Sequence, residues 1–441
     1  MTPAARLSAA IEVLGDIAAR RRPAADALKD WGLAHRFAGA KDRAAIASLV
    51  YDALRRRASS AWLMGFPEAG EAPPRAVLIG ALALARHMSA EAIAALCDGS
   101  RFAPSPLAEA ERSRLAAGPA ALADAPPHIR GDFPEWLGPE LAAEFGEALV
   151  AEAEALAARA PLDLRVNAPK ATRDETQALL SHLAPRPTPH SPLGLRLPHF
   201  EDGRGPSVQS EPAFLDGLVE IQDEGSQLVS LLAGAAPGET VIDLCAGGGG
   251  KTLALAALME DSGHIVATDD DQRRLAPLHA RLARAGAANV EIRTPRRRGD
   301  EPLAGLEGKA DLVLVDAPCT GVGTWRRNPD AKWRIRPGSL AQRLVEQDRV
   351  LERAVRFAKA DGRIAYVTCS LLPQENDGRI AAFRSRHAGW SVVPPGRLAV
   401  SPALAPVAAH HSHGGAGLLL TPHRLGTDGF FLCVLRRGQG S

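Results

Sequence analysis

Two apolar runs in the second half of the chain constrain its fold more than any other feature. DLVLVD (Asp311–Asp316) continues through Ala317 and Pro318 to Cys319 and Thr320, and RIAYVT (Arg363–Thr368) continues to Cys369, Ser370 and Leu371. Aliphatic residues fill both alternating positions, the pattern of a strand covered on both faces in a parallel sheet. Parallel strands end at one carboxyl edge, which is where open α/β sheets carry their chemistry. The two runs therefore predict that two thiols and the carboxylate of Asp316 meet at a single edge.

Further strands are expected at Thr240–Leu244, His264–Asp269, Val290–Arg293 and Phe430–Arg436, the last closing the sheet, with helical periodicity between them. The front reads as helices. Leu7, Ile11, Leu14 and Ala18 recur at helical spacing, as do Ile46, Leu49, Val50, Ala53 and Leu54; Ala76–His87 is another apolar helix and Ser89 caps the next. Proline and glycine thicken from Gly118 to Pro139, which reads as a linker with turns. A second helical stretch, Pro139–Arg159, leads to a small α/β insert over Leu162–Leu218. The expected partition is an all-helical domain at 1–130, a helical linker with a small α/β subdomain at 131–218, and an α/β sheet domain at 219–441.

The 52 basic and 51 acidic residues nearly cancel, so a nucleic-acid partner has to be argued from local clusters. Arg20–Arg22, Arg55–Arg57, and the group Arg326, Arg327, Lys332, Trp333 and Arg334 after the Cys319 loop are such clusters. The last mixes cations with an aromatic ring that could stack a base. Cys97, Cys245, Cys319, Cys369 and Cys433 form no CxxC pair, which argues against a zinc site or a disulfide framework and for a reducing compartment. His410, His411 and His413 have no acidic or thiol neighbour and read as surface residues, not metal ligands. With no apolar run near about 18 residues and no leader pattern, the expectation is a soluble cytoplasmic protein, monomeric, without metal or membrane partner.

VIDLCAGGGGKTLALAAL reads as strand, glycine-rich turn and helix, which aims backbone amides and a helix N-terminus at a ligand. GGGGKT resembles a phosphate loop, but that loop needs a glycine where Cys245 stands. The next strand ends at Asp269, about 20 residues past the glycines, where a carboxylate meets ribose hydroxyls in nucleoside-binding folds. A nucleoside cofactor is favoured over a triphosphate. S-adenosylmethionine suits the site better than a dinucleotide, which would have no use for two thiols further along.

Buried free cysteines are commonly small hydrophobes, and that suffices for Cys97 and Cys433. Cys319 leaves a strand after Asp-Ala-Pro, and Cys369 lies between Thr368 and Ser370. A thiolate that adds to carbon 6 of a cytosine turns the ring into an enamine whose carbon 5 attacks a methyl sulfonium. A carboxyl near the nucleophile assists at ring nitrogen 3, and a further group is needed for release. Cys369, Asp316 and Cys319 make up that kit.

These residues lie in longer motifs that resemble a known family. DAPCTGVGTWRRNPDAKWR (Asp316–Arg334), YVTCSLLPQEN (Tyr366–Asn376), DLCAGGGGKT (Asp243–Thr252), IQDEGSQL (Ile221–Leu228), LRVN (Leu164–Asn167) and PHRLGTDGFFLCVLRR (Pro422–Arg437) look like the signatures of the RsmB/Sun family of RNA cytosine-C5 methyltransferases. The front segment KDRAAIASLVYDALRRR (Lys41–Arg57) is similar to the NusB-like helical domain of its ribosomal-RNA members. The resemblance implies a Rossmann-like S-adenosylmethionine methyltransferase sheet preceded by an all-helical NusB-like domain and a small α/β RNA-binding insert. It implies Cys369 as nucleophile, Cys319 in release, and Asp316 beside both base and methyl donor. Cys245, Ala246, Gly247, Gly248, Gly249, Gly250 and Lys251 would hold the cofactor with Asp269, Arg274 and Asp316. Arg165, Asn167 and Lys170 would face RNA, together with Arg326, Arg327, Lys332 and Arg334. The implied substrate is 16S ribosomal RNA, with transfer RNA or a non-catalytic assembly role as alternatives. Two departures stand out: CAGGGGK replaces the family's usual CAAPGGK, and EIRTPRRRGD delays Asp300, which leaves the adenine contact without a residue.

Overall fold

The computed structural model describes residues 1–198, 206–295, 300–398 and 402–438. Among them, one compact unit holds Met1–Arg159 together with Trp325–Ile335, and a second holds the remainder.

The first unit is helical. Thr2 accepts a hydrogen bond from the Ala5 amide and caps helix Pro3–Arg20, whose buried stripe of Leu7, Ala10, Leu14 and Ile17 follows the helical period. Helices Ala24–Ala34, Ala40–Arg55, Arg57–Leu63 and Pro74–Arg86 follow. A common core of Leu7, Leu14, Ile46, Val50, Ile79, Leu82 and Ile93 joins them. Gly80 permits one close crossing, because a Cβ there would fall 2.6 Å from the Ser60 carbonyl oxygen. Ser89 caps helix Ala90–Leu96 as expected, accepting from the Ala92 amide.

The expected linker over Gly118–Pro139 is instead a packed part of this unit. Ile129, Phe133 and Leu137 are buried. The Asp132 carboxylate accepts from the Ala58 amide at 2.8 Å, the Ser59 amide at 3.0 Å and the Ser59 hydroxyl at 2.7 Å, capping helix Arg57–Leu63 from a distance in sequence. Prolines mark its turns, but three apolar residues four apart supply its core. The helical stretch after it is broken at Gly146, in the left-handed region at φ 52°, into Gly138–Phe145 and Leu149–Ala157.

The second unit carries two sheets. The smaller contains β1 (Leu162–Val166), β2 (Arg186–Pro187), β3 (Gly194–Leu197) and β4 (Val219–Ile221), in the order β2-β3-β1-β4 with antiparallel pairing throughout. Leu164, Val166, Leu195, Leu197 and Val219 form its core. The larger holds β5 (Thr240–Asp243), β6 (His264–Ala267), β7 (Val290–Ile292), β8 (Ala310–Asp316), β9 (Ala358–Thr368), β10 (Trp390–Val392), β11 (Leu418–Leu420) and β12 (Phe430–Arg437). Its order is β10-β12-β9-β8-β5-β6-β7, parallel from β9 to β7. Val241, Ile242, Ile265, Val266, Leu312–Val315 and Ile364–Val367 are all fully buried, so helices cover both faces.

One expectation about the edge is corrected: Phe430–Arg436 does not close the sheet. β12 runs antiparallel between β9 and β10, and β11 also pairs with it. β10 and β11 have three residues each, too few to show a period in sequence. Among the described residues no helix is long and apolar enough to cross a membrane, and no cluster of His, Cys, Asp or Glu could hold a metal ion.

Candidate active site

The carboxyl ends of β5, β6, β8 and β9 bring Asp243, Asp269, Asp316 and Cys369 to one edge. Register pairs Asp316 with Val367 across β8 and β9, so Cys319 and Cys369 leave adjacent strands within a few residues of each other. Their sulfurs are 3.3 Å apart and both thiols are free. The hydrogen bond to Cys369, then burial, pushes the Cys319 thiol well above its usual range, with the nearby Glu375 charge adding to the effect. Cys319 is therefore favoured as the neutral thiol.

Lys251 connects this pair to the glycine loop. Its ammonium lies 2.7 Å from Asp316 Oδ2 and 5.1 Å from the Phe430 ring centroid. Burial alone would push Lys251 down. The Asp316 charge and hydrogen bond, with the nearby Cys369 adding, outweigh burial and raise it. A fixed positive charge thus lies beside the Asp316 carboxylate and near the Cys369 sulfur.

The loop from Cys245 to Gly250 turns tightly between β5 and helix Gly250–Leu258. Gly247 and Gly249 have φ of 51° and 80°, conformations an L side chain rarely adopts, and a Cβ on Gly249 would stand 2.1 Å from Leu278 Cδ1. Asp269 is buried: its Oδ2 accepts from the Gly247 amide at 3.0 Å, its Oδ1 from the Asp271 amide at 3.0 Å, and Arg274 pairs with it at 3.3 Å. Burial, followed by the surrounding carboxylates, pushes the Cys245 thiol well up, so it serves the loop as a packed neutral group.

The family model described as 16S rRNA methyltransferase RsmB/F matches residues 230–436, and the ferredoxin-like domain model of the RsmF/B-like methyltransferases matches residues 133–202. A probable ribosomal RNA small subunit methyltransferase B of Synechocystis sp. is 33% identical over 314 residues, 69% of this chain and 67% of that protein. The chain belongs to the RsmB/F methyltransferase family. Ribosomal RNA small subunit methyltransferase B of Sodalis glossinidius is 35% identical over 274 residues, 61% of each chain. The structure of a methyltransferase homolog protein from Pyrococcus horikoshii covers 70% of this chain and 97% of its own at TM-score 0.56 and 27% identity. That of the protein PH0851 covers 99% of both chains at TM-score 0.71 and 26% identity.

As an RsmB/F member the chain is an S-adenosylmethionine-dependent methyltransferase, and the loop fits that cosubstrate. Backbone conformation at Gly247 and Gly249, and Leu278 against Gly249, keep side chains out of the middle of the cradle. Behind it Asp243 presents a buried Oδ1 with no side-chain partner among the described residues, while its Oδ2 accepts from Thr252 Oγ1 at 2.7 Å. Burial pushes the Asp243 carboxyl up to about 7, against the Thr252 hydrogen bond and with help from the Asp316 charge. The sequence reading assigned Asp243 no role, although it directly precedes the loop at a strand end. The segment expected to carry the adenine contact includes residues 296–299, which lie outside the described residues.

The residues expected to face RNA fall into two groups. In the small subdomain, Arg165 is buried with Nε donating to Gln222 Oε1 at 2.6 Å. Asn167 is also buried, donating to the Gly217 carbonyl at 3.0 Å and the Ala285 carbonyl at 2.9 Å. Lys170 is exposed and ties the Asp216 and Arg284 carbonyls. In the helical unit, Arg326 is buried, Arg327 half-buried, and Arg334 exposed and paired with Asp330 at 3.0 Å.

Lys332 departs furthest from a phosphate-contacting surface. It is 1% exposed, and its ammonium donates to the Arg55 carbonyl at 2.8 Å. Burial pushes it down to about 7, against the attraction of Asp132. Trp333 donates from Nε1 to the Leu54 carbonyl at 2.7 Å, with the Arg57 guanidinium 5.5 Å and the Lys332 ammonium 5.1 Å from its ring centroid. Trp333 is therefore an anchor of the helical unit and not an open stacking platform.

Proposed function

We propose that this chain methylates carbon 5 of a cytosine in RNA through a covalent adduct with Cys369, and that its substrate is 16S small-subunit ribosomal RNA. The observation that carries this reading is the 3.3 Å approach of two free thiols beside the Lys251–Asp316 pair. The substrate class is supported by the names of the Synechocystis and Sodalis relatives. Five free cysteines are in keeping with work in the cytoplasm.

In this reading the Cys369 thiolate, facing the Lys251 charge, adds to carbon 6 of a base unstacked from its helix. Electron density moves to ring nitrogen 3 and carbon 5, and the proton shared by Lys251 and Asp316 is placed against nitrogen 3. S-adenosylmethionine, when bound by the glycine cradle with Asp269 and Arg274, supplies the methyl group that carbon 5 takes. Release then breaks the carbon 6–sulfur bond and the carbon 5–hydrogen bond. Cys319 passes its proton to the leaving sulfur and takes the one from carbon 5, so one proton per turnover is left for solvent. RNA is recognised by the helical unit and the small sheet, with Lys170, Arg327 and Arg334 as the accessible cations.

The test is a pair of variants incubated with unmodified RNA and cosubstrate, then run on a denaturing gel. Cys369→Ala is expected to abolish methyl transfer and yield no protein–RNA adduct; Cys319→Ala is expected to accumulate one. Adducts with the Cys369 variant would reverse the two roles. Bisulfite sequencing of RNA from cells with and without the enzyme identifies the modified position.

A further inference from the structure

Pairing between β8 and β9 stops at Asp316 and Val367, yet both cysteines lie beyond it. Some other contacts must set the distance between their loops. Two are backbone bonds: the Ala317 amide donates to the Val367 carbonyl at 2.8 Å, and the Gly323 amide to the Cys369 carbonyl at 2.9 Å. A third set converges on Glu375, six residues beyond Cys369. Its Oε1 accepts from the Thr320 amide at 2.8 Å and from Gln347 Nε2 at 2.9 Å, and its Oε2 accepts from the Thr320 hydroxyl. Gln347 Nε2 also donates to the Pro318 carbonyl at 2.9 Å, so the residues on both sides of Cys319 are held. The Tyr366 hydroxyl donates to the Glu375 carbonyl at 2.7 Å and fixes the backbone from which the carboxylate reaches.

Glu375 is fully buried and, among the described residues, makes no ion pair. A buried carboxylate with no cation is costly unless strong donors surround it, so its three donors are needed merely to keep it in place. An apolar residue would fill the same space at no such cost, but could not hold Thr320. The negative charge also lies near Cys319 and favours the thiol over the thiolate. Among the described residues, none of these hydrogen bonds reaches the glycine loop or Lys251.

We propose that Glu375 is a positioning residue that holds Cys319 against Cys369 and so governs breakdown of the RNA adduct and not its formation. This rests on the reading of Cys319 as the release group. The Glu375→Gln variant keeps the size and loses the charge; Thr320→Val keeps the fold of the loop and loses the hydroxyl. For Glu375→Gln, single-turnover adduct formation should stay near wild type while adduct decay slows by about tenfold or more. kcat and KM for RNA should fall together, leaving kcat/KM near wild type, with cosubstrate affinity by calorimetry unchanged. Thr320→Val should move decay the same way by less, and decides the matter if Glu375→Gln does not fold.

The double variant Cys319→Ala/Glu375→Gln should decay no more slowly than Cys319→Ala, because the carboxylate acts through that thiol. Losses that multiply in the double variant would overturn the inference, as would a Glu375→Gln defect in adduct formation. Fast decay in Glu375→Gln beside slow decay in Cys319→Ala overturns this inference alone. Fast decay in Cys319→Ala itself removes the release role and the inference with it.

Discussion

The Lys251 ammonium lies 2.7 Å from the Asp316 carboxylate, joining the first turn of the helix after the glycine loop to the end of β8. A cation near a helix N-terminus faces the positive end of the backbone dipole, and this one is also mostly buried. Asp316, the Phe430 ring and Cys369 offset both costs.

The two partners are not equally replaceable. Asp316→Asn leaves an ammonium enclosed without its counter-charge and is expected to lower unfolding free energy by about 3 kcal/mol. Lys251→Met leaves a carboxylate with 32% of its side chain in water, which rehydrates, and should cost about 1 kcal/mol. Urea titrations of the two variants check the order; a larger loss in Lys251→Met would mean that Asp316 is the dependent partner.

Asp243 gives a pH signature. Its carboxyl is raised to about 7 in the fold, against the ordinary value of 3.8. Stability from its protonated form is therefore complete below about pH 4 and is lost as pH rises toward about 7. Asp243→Asn cannot titrate. Between those limits wild type should lose stability relative to this variant by at most about 1.4 kcal/mol per pH unit. Denaturant midpoints of both proteins across that range measure the difference, and a flat difference would return Asp243 to an ordinary carboxylate value.

Those residues also show what a sequence can disclose here. The carboxyl edge was legible because strands buried on both faces are apolar at every position, so Asp316 and Cys369 announce themselves where the pattern breaks. The glycine loop and Asp269 follow from backbone rules that act over a few residues. Gln347 carries no local signal and Glu375 only its place in the YVTCSLLPQEN motif, since their contacts are to a loop brought in by another strand. Lys332 and Trp333 mislead for a related reason. Beside arginines they read as a nucleic-acid patch, and only packing against Leu54 and Arg55, separated from them by 279 and 277 positions, takes them inside. Ile129, Phe133 and Leu137 repeat every four residues, but the prolines and glycines around them have the stronger local effect.

The burial of Lys332 distinguishes a structural cation from one that binds RNA. Each phosphate contact that is removed should lower the slope of log affinity against log salt by about 1. Lys332→Met keeps the aliphatic stem, removes the donor to the Arg55 carbonyl, and takes a charge from a place where no phosphate can reach. The expected result is an unchanged salt slope in fluorescence anisotropy with an RNA fragment, at any absolute affinity. The same measurement on Arg334→Met, an exposed cation, should show the reduced slope if that surface meets the backbone. A slope lowered by about 1 in Lys332→Met would mean that the ammonium leaves its enclosure when RNA binds. Since burial already drives that group toward neutrality near pH 7, such an exit would also appear as proton uptake on binding, measurable from the buffer dependence of the binding heat.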